Sequence, residues 1–238
     1  MLTTAVRWGR TRSCSRGAGT CILVRQGRSF GRVARDYDEP ALVVRLAALP
    51  RRAQAVFAAA CASRLFSACE AYAAIAPEWD LHAARSCEQA LWLELEAAEP
   101  RAERLTELQI SCRALIPADA AGQSIWESGA AEDAMAALTY AARAATVGSG
   151  ADAGWAARRA WEATYGKARQ RMGLRPPRPS DANHRAIVGS PIVQRELARQ
   201  QRDLAELEAT PSRALPACAV QLHRRAREEA ADALEDLD

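Results

Sequence analysis

At 238 residues the chain is long enough to bury a substantial core without disulfides or metals, and no stretch approaches the roughly eighteen consecutive apolar residues of a membrane span. Its formal charge of +3 is unevenly spread: residues 1–35 hold eight of the 32 basic residues and no acid, which leaves 24 basic against 29 acidic residues, or −5, from Asp36 onward. A mildly acidic body excludes a nucleic-acid-binding one, because phosphate neutralisation needs a clustered basic face.

Seven cysteines, an odd number, include no CxxC pair and have no histidine at ligand spacing, so the sequence predicts neither zinc nor any other cofactor. Cys61, Cys69 and Cys87 fall in apolar helical patterns, where a reduced cysteine packs as a small hydrophobe; this predicts a reducing, cytoplasmic setting.

Residues 1–36 form the first segment, rich in Arg, Ser and Gly. The composition predicts a disordered basic arm or an extension from an upstream start codon, and at face value it also looks like a mitochondrial transit peptide. Residues 37–238 are predicted to form one all-α domain, a bundle of about seven to eight helices. A short apolar helix over Glu39–Leu49 leads into the best one, Leu49–Ala76, bracketed by Pro50 and Pro77. There Phe57, Ala60, Cys61, Leu65, Ala68, Cys69, Tyr72 and Ala76 recur at steps of three and four and predict one wide buried stripe.

Asp80 reads as the cap of a helix to about Ala98, stopped by Pro100, and Arg101–Leu115 follows, stopped by Pro117. A polar stretch over Ala118–Ser124 precedes a helix over Ala130–Thr146. Gly148 is placed as a left-handed cap, and a helix from Asp152 to about Met172 exposes a basic face. Residues 175–190, RPPRPSDANHRAIVGS, read as a flexible loop. Helices over Ile192–Ala209 and Leu215–Leu237 close the chain, the last expected to fray because acids crowd its C-terminal end.

The segment LPRRAQAVFAAACASRLFSACEAYA resembles the N-terminal helix of the YjaG-like family of bacterial proteins, domain of unknown function 416. CEQALWLEL, AEDAMAAL and SPIVQRELARQQRDLAEL resemble three further family segments in the family's order, so the likeness runs from about Leu42 to Leu207. Ser67 and Ala68 stand where members often carry a Pro-Asn pair, and the first forty residues have no counterpart. The resemblance implies a bacterial, all-helical domain and names no activity.

Four charged residues lie within apolar helical patterns at or beside those motif positions: Arg64, Glu88, Asp133 and Glu196. They have a structural reading, with a partly buried Arg64 bridging acids from other helices and with Asp133 and Glu196 satisfying helix-start N–H groups. They also have a functional one, in which Arg64, Asp133 and Glu196 line a cleft for a small polar ligand, an enzyme's substrate or a partner's side chain. The three histidines, His82, His184 and His223, meet no partner at catalytic or metal spacing. Without a recognisable catalytic constellation, the sequence predicts a non-catalytic protein-interaction module, an adaptor or a neutralising, immunity-like partner of another protein. It predicts no nucleic-acid or membrane partner and admits a homo-oligomer.

Overall fold

The computed structural model describes residues 34–117, 126–174 and 180–233. The expectations for the N-terminal arm, for Ala118–Ser124 and for the last five residues of the chain lie outside these. Among the described residues ten α helices and one 3-10 turn account for all regular structure, and Ala34–Asp238 form one compact unit.

The starts of the helices follow from their caps. In α1 (Glu39–Ala47) the Asp38 carboxylate accepts from the Ala41 N–H at 3.1 Å, with Pro40 in the first turn. Pro50 precedes α2 (Arg51–Arg64), which passes through a single-residue turn into α3 (Phe66–Ile75). Asp80 caps α4 (Leu81–Glu96) by accepting from Ala83 N–H at 2.8 Å, and α5 (Ala102–Ala114) follows Pro100.

The second half begins with α6 (Trp126–Val147) and α7 (Gly150–Arg171), separated by Gly148, whose φ of 74° ends α6 in the left-handed region. Then come α8 (Asp181–Val188), α9 (Pro191–Ala209), a 3-10 turn (Ser212–Ala214) and α10 (Leu215–Ala233).

α2 is the axis of the fold. Every residue from Ala53 to Arg64 is buried, not just one stripe, because alanines occupy the side away from Phe57 and Cys61 and leave no polar face. α4, α6, α7, α9 and α10 pack around it.

The expected single helix over Leu49–Ala76 is broken at Leu65, where N–H groups reach three residues back in place of four: Leu65 N to Ala62 O and Ala68 N to Leu65 O, both at 2.9 Å. The 175–190 loop also needs correction. From Ser180 on, it holds α8, capped by the Ser180 hydroxyl accepting from Asn183 N–H, with Ile187 and Val188 buried in a small second core beside Ile192, Val193 and Leu197. With these two differences the described residues hold ten α helices where about seven to eight were expected.

Candidate functional site at the end of α2

The last turn of α2 carries Ser63 and Arg64. Adjacent residues on a helix point about 100° apart, so the two side chains enter different buried polar clusters. Arg64 is wholly inaccessible, with 0% exposure, and it enters the space between α2, α9 and α10. Its Nε donates to Glu196 Oε2 at 3.0 Å and its Nη2 to Glu196 Oε1 at 3.0 Å, a two-pronged pairing, while Nη1 donates to Asp203 Oδ2 at 2.7 Å.

Glu196 and Asp203 are 2% and 1% exposed. With Gln200 they recur at steps of four and three on α9, so one face of that helix presents all three. Gln200 ties the cluster to α7 by donating both to Glu196 Oε1 (2.9 Å) and to the Ala157 carbonyl (3.0 Å). Arg202 and Arg225 each donate to the other oxygen of Asp203 at 2.9 Å.

Burial by itself would lower the Arg64 pKa, yet the facing Glu196 and Asp203 outweigh it and raise it well above the usual arginine value. Burial pushes Asp203 up, but Arg64 and Arg202 hold its carboxyl below the ordinary aspartate value. At the centre of this cluster Arg64, Glu196 and Asp203 are buried and paired with one another, while Arg202 and Arg225 reach the surface.

Ser63 turns toward α4. Its hydroxyl donates to Glu88 Oε1 at 2.6 Å and accepts from Trp92 Nε1 at 2.8 Å. His223, on α10, stacks flat on Trp92, with ring centres 4.5 Å apart. Its Nδ1 lies 2.7 Å from Glu96 Oε1 and its Nε2 3.8 Å from Glu88 Oε1.

Asp133 is elsewhere. α6 begins at Trp126, so Asp133 sits two turns inside the helix and not at its start, and its carboxylate accepts from Arg159 Nη1 of α7 at 3.0 Å. Burial pushes its pKa up to about 7 despite Arg159.

Of the four charged residues singled out in the sequence, then, the fold joins Arg64 to Glu196. Glu88 is held by Ser63 and Asp133 by Arg159, so Arg64, Asp133 and Glu196 do not share a cleft. Asp203 went unnoticed, although its spacing of seven from Glu196, alongside Leu197 and Leu204, repeats the same face. Ser63 gives no sequence signal.

The arrangement of these helices has a counterpart. A crystal structure of a DUF416 family protein from Shewanella baltica OS155 superposes with a TM-score of 0.62, covering 78% of this chain and 93% of that one at 16% identity. The chain has the DUF416 fold. No family model and no curated protein matches the sequence itself. A DUF416 fold at this identity fixes the helical scaffold and leaves activity open. Among the described residues no helix is long and apolar enough to cross a membrane, and no group of three or more His, Cys, Asp or Glu is placed to hold a metal ion.

On the surface, the outward side of α6 and α7 forms a shallow groove of about 420 Å³ lined by Tyr140, Trp155, Arg158, Arg159 and Glu162. Trp155 is 38% exposed, its ring tilted against Tyr140 at 5.4 Å with the Arg143 guanidinium 5.8 Å from its centre.

Proposed function

We propose that this chain is a divergent DUF416-type cytoplasmic protein that works as a protein-interaction module, an adaptor or a neutralising partner of another protein, without catalysis of its own. The observation that carries the reading is the Trp155 ridge. Trp, Tyr and Arg are the residues that dominate binding energy at protein interfaces, and here an exposed Trp155 is held against the half-buried Tyr140 and Arg143, so little side-chain entropy is lost on docking. The Arg64 cluster supports the same reading from the inside. Its charges are consumed in pairing with one another, so the residues that looked most like a ligand site in the sequence are accounted for by folding.

The test is native mass spectrometry of the protein after affinity capture from its source cell, in parallel with Trp155→Ala and Arg143→Ala variants whose helix content is checked by circular dichroism. The expected result is a stoichiometric protein partner on the wild type that is lost from both folded variants. A captured small metabolite with no protein partner, or a partner retained equally by both variants, overturns the proposal.

A further inference from the structure

Beside the Ser63 cluster, a recess of about 330 Å³ opens between α3, α4 and α10, within the range of about 300–1,000 Å³ that ligand pockets occupy. Ser63 and Glu88 form part of its lining, along with Phe66, Ser67 and Arg227. Glu88 is 6% exposed, and a carboxylate so buried ordinarily has a cation against it. Among the described residues, the other acids buried to this degree follow the rule: Glu94, Asp152, Glu196 and Asp203 each have an arginine within ion-pair distance.

Glu88 has neither an arginine nor a lysine. Its Oε1 is held by the neutral Ser63 hydroxyl, and His223 stands 3.8 Å off with its Nδ1 side engaged by Glu96, one imidazole between two carboxylates. Two further polar groups there are buried without a hydrogen-bond partner, the Ser67 hydroxyl in the lining and His223 Nε2 behind it. At the rim Arg227 is exposed and forms no ion pair with a described residue, while the other charged rim pair, Arg85 and Glu70, cancels at 2.7 Å. The recess therefore presents, inside, a carboxylate whose one ion-pair partner, His223, is shared with Glu96, and, at its mouth, an arginine with no ion pair among the described residues.

We propose that this recess binds a small molecule carrying both an ammonium and a carboxylate group, as an amino acid does, with the ammonium on Glu88 and the carboxylate toward Arg227. The ammonium supplies Glu88 with a cation that, unlike His223, is not shared with Glu96. Phe66 gives an apolar wall for its carbon skeleton. This site is separate from the Trp155 ridge and does not depend on it.

Isothermal titration calorimetry on the full chain, with each standard L-amino acid in turn at millimolar concentration, tests the proposal. N-acetylglycine, which lacks the ammonium, and ethylamine, which lacks the carboxylate, serve as controls. At least one amino acid is expected to bind while both controls fail. Glu88→Gln should abolish that binding, and Arg227→Ala should weaken it by about tenfold or more, the worth of one charge-assisted hydrogen bond. Arg227 is exposed, so its variant remains informative even if Glu88→Gln does not fold. No binding by any amino acid, equal binding of either control, or binding unchanged in Arg227→Ala overturns the proposal.

Discussion

Arg64 and Glu196 lie 132 residues apart in the sequence and meet through two hydrogen bonds of 3.0 Å each, with neither side chain reaching solvent. Such a pair adds little net stability over a well-packed apolar replacement, because desolvating both charges offsets their attraction. It does make the packing of α9 on α2 specific, since any other register strands a charge. Arg64→Met should therefore destabilise the fold by about 3–5 kcal/mol, the cost of leaving buried carboxylates uncompensated, as measured by urea unfolding. A loss under about 1 kcal/mol, the scale of ordinary surface changes, would mean that solvent or another cation reaches Glu196 and Asp203.

Leu65, at the joint between α2 and α3, is buried to 1% exposure within the main core. Leu65→Ala should cost about 2–5 kcal/mol. Because the backbone at this joint already departs from the helical ladder, the cavity can close partly by adjusting it, which places the expected value in the lower half of that range. Thermal unfolding with the same variant gives an independent check.

Gly150 starts α7 directly against α1. A Cβ built there would meet the backbone N and Cα of Ala47 at 2.7 and 2.8 Å, and backbone atoms cannot swing aside as a side-chain tip can. Gly150→Ala should force the two helices apart at a cost of about 1–3 kcal/mol, even though alanine is the better helix former. A neutral or stabilising outcome in chemical unfolding would show that α1 yields without loss.

How far the sequence discloses this structure depends on whether neighbours in space are neighbours along the chain. Caps and stops are local, so Asp80, Gly148 and the prolines mark helix ends correctly. Burial of Leu65 and Phe57 also follows from their spacing. The break at Leu65 has no proline or glycine to announce it. α8 is too short to show a helical period, and its cap follows a run of prolines that reads as loop.

The partners of the charged residues are another matter. Arg64 shows itself as an arginine inside an apolar stripe, yet whether it meets Asp133 or Asp203 depends on how α6 and α9 lie against α2. Helical grammar is the same for either answer. The surface features, the Trp155 ridge and the recess at Glu88, are each assembled from separate helices and have no local signature.

Asp133 should give the protein a distinctive pH response. Its carboxyl is raised by burial to about 7 from an ordinary value of 3.8, so between these limits the folded state holds a proton that the unfolded state has released. Stability from this group is therefore fully present below about pH 4 and is lost as pH rises toward 7, by at most about 4 kcal/mol in total. Asp203, held below its ordinary value, acts in the opposite sense, its contribution fading as pH falls through its folded pKa. Asp133→Asn should flatten the decline in unfolding free energy between pH 4 and 7 and leave the acid limb from Asp203 in place. An unchanged slope in that variant would assign the decline to other groups.

Arg64 and its acids hold α9 against α2, a structural role that can be measured. A double-mutant cycle on unfolding free energy, with Arg64→Met, Glu196→Leu and both together, tests it most directly. The double variant is expected to cost less than the two single changes summed, by about 1–3 kcal/mol, because each single change strands the charge that the other removes. Single costs that add to within about 0.5 kcal/mol, as for residues that do not touch, would contradict it.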